Sequence, residues 1–293
     1  MKSRFTSVAL TISLLLFFNG ISICQDKFSA SDWMDKIDQG NINWSAGYVE
    51  AVGIGALPDN VIKKINARPV ALREAKKDAL RNLLEITKSV QVDSATAIKD
   101  FTMGSDVVDT QISGLVKGAE VVDYQYMPDS RAEVKMRIPL YGNLARIIMP
   151  LTMAKPSTVT ALNEAAPAPI AKAPSAQFVS VVYTGVIVDA RGIQARPAMS
   201  PRIFDEDGTE VYSLSKVDIE YATKEGVSGY TRDLTAAQTN QRIGANPMTV
   251  RALGISGTGI SDIIIGNADA QNIRLSAKSS SFLKQCKIMI VLD

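Results

Sequence analysis

The chain has 293 residues, 46% apolar and 21% charged, enough for one large globular domain or two ordinary ones with buried cores. Setting aside Lys2 and Arg4 in the N-terminal segment leaves 30 basic residues against 30 acidic ones, a balance that argues against a nucleic-acid binder. Histidine is absent, which removes Ser-His and Cys-His nucleophiles and the commonest transition-metal ligand, and Cys24 and Cys286 make neither a disulfide framework nor a metal cluster.

Residues 1–24 carry Lys2 and Arg4, then an apolar run from Val8 to Phe18, then Asn19, Gly20 and Ser22. That order predicts a cleaved export signal, and the run is shorter than the about 20 apolar residues of a membrane span. Cys24 admits a second reading, a lipid-anchored N-terminus. Ile23, however, stands where a bacterial lipobox wants a small residue, so ordinary cleavage near Ser22 or after Cys24 is favoured.

The first domain is predicted over 25–153. SDWMDKID resembles a short helix capped by Ser31, and Trp33 and Trp44 read as packing residues. Gly47, Val49, Ala51, Gly53 and Gly55 share one parity of a strand, so one of its faces is nearly all small. The helix predicted to follow Asn66 places Leu72, Ala75, Ala79, Leu83, Ile86 and Val90 at steps of three and four. Pro69 falls in its first turn, where a missing N–H does no harm. Small strand face and small helix face predict close packing. Asp106–Val116 reads as a second, shorter helix ending at Gly118. AEVVDYQYM and AEVKMRIPL read as a hairpin joined by PDSR, and Tyr141–Met153 as a terminal helix interrupted by Pro150.

GYVEAVGIGA, the helix ALREAKKDALRNLLE, VKGAEVV and AEVKMRIPLYG, spanning about residues 45–150, resemble one bacterial envelope family. It includes small outer-membrane lipoproteins of the Helicobacter type, flagellar lipoprotein P of motor disks and the N-terminal domain of flagellar assembly protein T. The resemblance implies a noncatalytic envelope protein found in ring or disk assemblies around flagellar motors. Cys24, in its poor lipobox, departs from the lipoprotein part of that pattern.

Residues 154–177 hold eight Ala and four Pro in 24 residues and read as an Ala/Pro-rich linker. A second domain of mixed α/β type is predicted over 178–293. FVSVVYTGVIVDARG is strongly β-prone, and Ile203–Phe204 and Val211–Tyr212 flank a hairpin turn at EDGT. Thr235–Ile243 reads as a short helix, MTVRALGIS and GISDIIIGN as strand segments, ADAQNIRLS as a helix and CKIMIVLD as a closing strand. VDARG, SPRIFDEDGTEVY, SDIIIGNADA and FLKQCKIMIVLD are similar to the C-terminal region of uncharacterised envelope proteins with the same N-terminal domain. The expected class is therefore α+β, a β-α-(α)-β-β sandwich-like unit followed by a separately folded mixed α/β domain on a flexible joint.

Motifs for chemistry are thin. Gly53-Ile-Gly55 is a fragment of a dinucleotide fingerprint, but Pro58 follows and no helix starts at once; glycines spaced for helix packing explain it better. Gly254, Gly257 and Gly259 form a Gly-rich loop without a nearby lysine, readable as a phosphate cradle but better as an ordinary loop. Asp205 and Asp207 fit positions 3 and 5 of a calcium loop centred on Gly208, yet its ends would be Ile203 and Leu214, so a hairpin turn is preferred. Asp189 and Arg191 read as an ion pair at a strand end. Cys286, in an apolar strand pattern, reads as a small core residue.

No catalytic residue, metal or cofactor is expected, and no nucleic-acid partner. The predicted function is that of an exported protein of the periplasm or outer membrane. It assembles with itself or with envelope or flagellar motor proteins, with peripheral membrane association open. The alternative is a binding module holding a small ligand or glycan near Asp189 and Arg191 or the Gly254–Gly257–Gly259 loop.

Overall fold

A computed structural model describes residues 29–56, 67–154, 182–257 and 259–293. The predicted export signal over 1–24 with Cys24, and the predicted linker over 154–177 except Ala154, lie outside them. Strands β1 (Met34–Ile37), β2 (Gly40–Asn43) and β3 (Tyr48–Gly55) are followed by helices α1 (Ala67–Ser89), α2 (Ile98–Met103) and α3 (Asp106–Lys117). Strands β4 (Glu120–Tyr126) and β5 (Ala132–Pro139) and helix α4 (Asn143–Ala154) complete this half. The five strands form one antiparallel sheet in the order β1-β2-β3-β5-β4.

The small-faced strand and the helix pack as the residue pattern requires. Val49, Ala51, Ala75, Ala79 and Leu83 are fully buried. In register beside β3, the inward side chains Ala132, Val134, Met136 and Ile138 of β5 extend the same surface. A Cβ on Gly53 would land in the backbone of Ala75 and Ala79, and one on Gly55 in that of Ala71. The glycines therefore set the helix–sheet distance. On the outer face Glu50, with a 3% exposed side chain, accepts from Arg137 Nη2 at 2.7 Å and lies 3.6 Å from Lys135 Nζ.

Two local expectations fail. SDWMDKID is not a helix: residues 34–37 are β1, paired antiparallel with β2. Trp44 N donates to Trp33 O (3.0 Å) and Trp33 N to Ser45 Oγ (2.8 Å), so two residues eleven apart close a hairpin that local helix propensity opposes. Nor does Pro150 interrupt the last helix, which runs through it to Ala154 with Leu144, Ala145, Ile148 and Met149 buried.

The second half contains β6 (Gly185–Asp189), the hairpin β7 (Ile203–Phe204) and β8 (Glu210–Tyr212), a 3₁₀ turn (Leu214–Lys216), and α5 (Ile219–Glu225). Strand β9 (Gly229–Thr231) and helix α6 (Leu234–Gln238) follow, then a second 3₁₀ turn (Gln241–Ile243). The expected single helix over 235–243 is thus split at Thr239–Asn240, where Asn240 caps the 3₁₀ turn. Strands β10 (Pro247–Ile255) and β11 (Ile263–Ile265), helix α7 (Asn267–Ser279) and strand β12 (Ile288–Val291) end the chain.

The sheet order is β8-β7-β11-β10-β6-β12-β9, with β10, β6, β12 and β9 parallel. Every residue of β12, and β6 up to Asp189, is buried, as expected of central parallel strands covered on both faces. The protein is α+β with two domains, each built on its own sheet. Among the described residues no helix is long and apolar enough to cross a membrane.

The domains do not hang free of one another. One cluster of buried side chains runs from Trp33, Trp44 and Leu83 into Val186, Tyr212 and Ile290. The two domains meet at a packed seam.

Candidate functional site

Open α/β sheets hold ligands at the carboxyl ends of their parallel strands, so that edge is where chemistry would be sought. At the end of β6, Arg191 Nε and Nη2 donate to the two Asp189 oxygens, both at 2.8 Å. The guanidinium holds the Asp189 carboxyl below its usual range, and the carboxylate raises Arg191 in return. Beside them Gly192 N donates to Asp293 Oδ2 (2.6 Å), tying the loop after β6 to the end of the chain. The predicted ion pair is present and satisfied internally.

The chain beyond the carboxyl ends of β6, β9 and β10 runs into the first domain. After β6, Met199 N and Ser200 N donate to Gln91 O (3.0 Å) and Val92 O (2.8 Å). At the end of β9, Arg232 N and Thr231 Oγ1 both donate to Ser31 O, at 2.9 and 3.0 Å, and Ser45 Oγ donates to Tyr230 O (2.7 Å). After β10, Gly259 abuts Ser94, where an added Cβ would strike backbone. Arg202 Nε and Nη2 grip Asp262 Oδ2 at 3.1 and 2.5 Å, and Nη2 also reaches Ser94 Oγ (3.4 Å). A carboxylate only 3% exposed is thereby paired at the seam, as burial of a charge demands.

Aromatic residues fill the middle. Trp44 meets Tyr230 edge to face at 5.9 Å and donates Nε1–H to Asp35 Oδ2 at 2.8 Å. Trp33 lies under Arg232 at 4.6 Å and Arg196 at 6.0 Å, and its buried Nε1 has no hydrogen-bond partner among the described residues. Farther along, a Cβ on Gly226 would overlap the Tyr141 ring, and Gly142 N donates to Thr223 O (2.7 Å). These seam residues were not legible as a site, because their partners across the seam are some 80 to 200 positions away.

The remaining candidates fall into place individually. Gly254 lies at the β10 irregularity with open space where a Cβ would be, Gly257 takes φ +72, and Gly259 is the interdomain contact. Arg196 N donates to Ile260 O (2.7 Å), so the segment after Arg191 touches this loop within the second domain. Both oxygens of Asp205 are occupied: Asp207 N (3.1 Å) and Thr209 N (2.7 Å) donate to one, and Arg274 Nη2 (2.8 Å) to the other. Glu206 Oε2 accepts from Asn267 N (2.9 Å) and Asn267 Oδ1 from Glu206 N (3.1 Å), a cap for α7 supplied sixty residues upstream. The hairpin turn is a helix cap. Cys286 is buried at φ +55, and burial pushes its thiol up to about 11, the state of an unreactive core residue.

Residues 185–293, from the first residue of β6 to the end of the chain, match the family model described as Treponema pallidum Tp0624, second domain. No curated protein matches the chain.

Proposed function

We propose that this is a noncatalytic exported envelope protein that assembles with copies of itself or with other envelope components, the flagellar motor among the candidate locations. The observation that carries this reading is the contrast between a covered ligand edge and an open sheet edge. The carboxyl ends of the parallel strands are taken up by the first domain, which weighs against the ligand-binding alternative. Strand β4, by contrast, pairs only with β5 among the described residues, and Val122, Tyr124 and Tyr126 on it are exposed. The two edges of the second sheet are blunted: the Lys216 ammonium donates to the Glu210 carbonyl of β8, and Ser31 and Ser45 engage β9. An edge strand carrying exposed aromatics is suited to adding a strand from a partner.

Cell fractionation and light scattering test this together. Export with a concentration-dependent oligomer that Tyr124→Lys disperses is expected. A cytoplasmic location would refute the envelope reading. A monomer that recovers no envelope partner on crosslinking would refute assembly, and intact motors in a deletion strain would remove the flagellar part.

A further inference from the structure

A groove of about 670 Å³ lies where α7 ends, lined by Lys216, Lys278 and Lys284 with Ser279–Ser281 above Ala277 and Leu283. The three lysines come from separate places: the 3₁₀ turn after β8, the last turn of α7 and the turn before β12. No carboxylate lines the groove. Lys216 Nζ donates to the Glu210 carbonyl and lies 3.9 Å from the Glu210 carboxylate, which also accepts from Ser213 Oγ (2.6 Å) and Ser215 Oγ (3.3 Å), so Lys216 is already held at the groove wall. Lys278 and Lys284 have no ion pair among the described residues, and burial together with Arg274 lowers the pKa of Lys216. A lysine in the last turn of a helix complements the helix dipole, which accounts for Lys278. It does not account for Lys216 and Lys284, which other elements bring to the same place.

Apolar residues flank these charges instead of being buried. Leu275, one turn before Lys278 on α7, is 53% exposed. Asp218 N donates to Lys284 O (3.0 Å), which brings the start of α5 toward Lys284, with exposed Ile219 and Tyr221 alternating with exposed Asp218 and Glu220. Converging ammonium groups beside an exposed Leu are the chemistry of a surface that rests on anionic headgroups and dips an apolar side chain between them.

We propose that this groove docks the protein on an anionic phospholipid surface, Lys278 and Lys284 taking headgroup phosphates and Leu275 entering the interface. The docking does not require assembly, since one copy carries the whole surface.

The test is cosedimentation of the full chain with phosphatidylglycerol-containing vesicles and with pure phosphatidylcholine vesicles. The apolar Val8–Phe18 stretch is common to both arms, so the difference between them is what is read. Binding to the anionic vesicles should exceed binding to the neutral ones and fall as salt is raised. Lys278→Ala/Lys284→Ala should weaken the anionic binding about 25-fold, each lysine near such a surface contributing about fivefold. Both side chains are exposed, so the variant should melt as wild type does. Leu275→Ser should weaken it further without altering the salt dependence. Equal binding to both vesicle types, or unchanged binding by the double variant, would overturn the proposal. So would inorganic phosphate binding that the lysine variant abolishes while vesicles stay unbound, which would mark a soluble-anion site.

Discussion

At the scale of single residues, the two tryptophans separate burial from hydrogen bonding. Trp33 and Trp44 are 5% and 1% exposed, but only Trp44 has an acceptor for its indole N–H. Trp33→Phe removes area and, with it, an unsatisfied buried donor, so it should cost less than about 1 kcal/mol. Trp44→Phe leaves Asp35 without that donor and should cost about 2 kcal/mol more. Truncating either to Ala should cost about 3–5 kcal/mol. Chemical denaturation of the four variants checks the order, and equal costs for the two Phe variants would place the energy in packing alone.

At the scale of elements, the β3–α1 unit depends on the absence of two side chains. Gly53→Val forces a branched side chain into the backbone of Ala75 and Ala79, which can move only by lifting α1 from the sheet. A destabilisation at or above about 3 kcal/mol is expected, the upper end for overpacking. Melting like wild type would mean that α1 is not held at this distance. This unit was legible in the sequence because both periodicities, two in the strand and about 3.6 in the helix, lie in continuous stretches with one partner each. The β1–β2 hairpin was not legible. DWMDKID carries a helical pattern, and what overrides it is the Trp33–Trp44 closure and contacts from Arg196 and Arg232, far away in the chain. The α7 cap was hidden for the same reason: Gly266 at the N-cap supplies no side chain, and Glu206 arrives from the turn of another hairpin.

At the scale of the molecule, the candidate site shows where sequence reasoning stopped. The Asp189–Arg191 pair could be read from spacing, being two residues apart. That the same strand edge is closed by Ser31, Ser45 and Gln91–Ser94 could not, because no local pattern records a contact between domains. The Ala/Pro stretch suggested independent bodies, and composition carries no information on what the bodies do after they meet. The seam makes a distinct prediction. Cutting the full chain at a protease site introduced between residues 155 and 177 should leave both fragments in one peak on gel filtration at neutral pH. They should melt together in a single transition. Separation into two peaks would mean that the seam contacts do not hold the domains without the covalent connection.

The double acceptor at Ser31 O has a mechanical consequence. It lies ahead of β1, and it receives Arg232 N and Thr231 Oγ1 from the second domain. A load passing along the chain through Ser31 would therefore reach β9 before it reached β3 or α1. Tension would be shared across the two sheets at the point of entry, and neither domain would be peeled from the other from its far end. Such a body resists a pull through Ser31 as one piece.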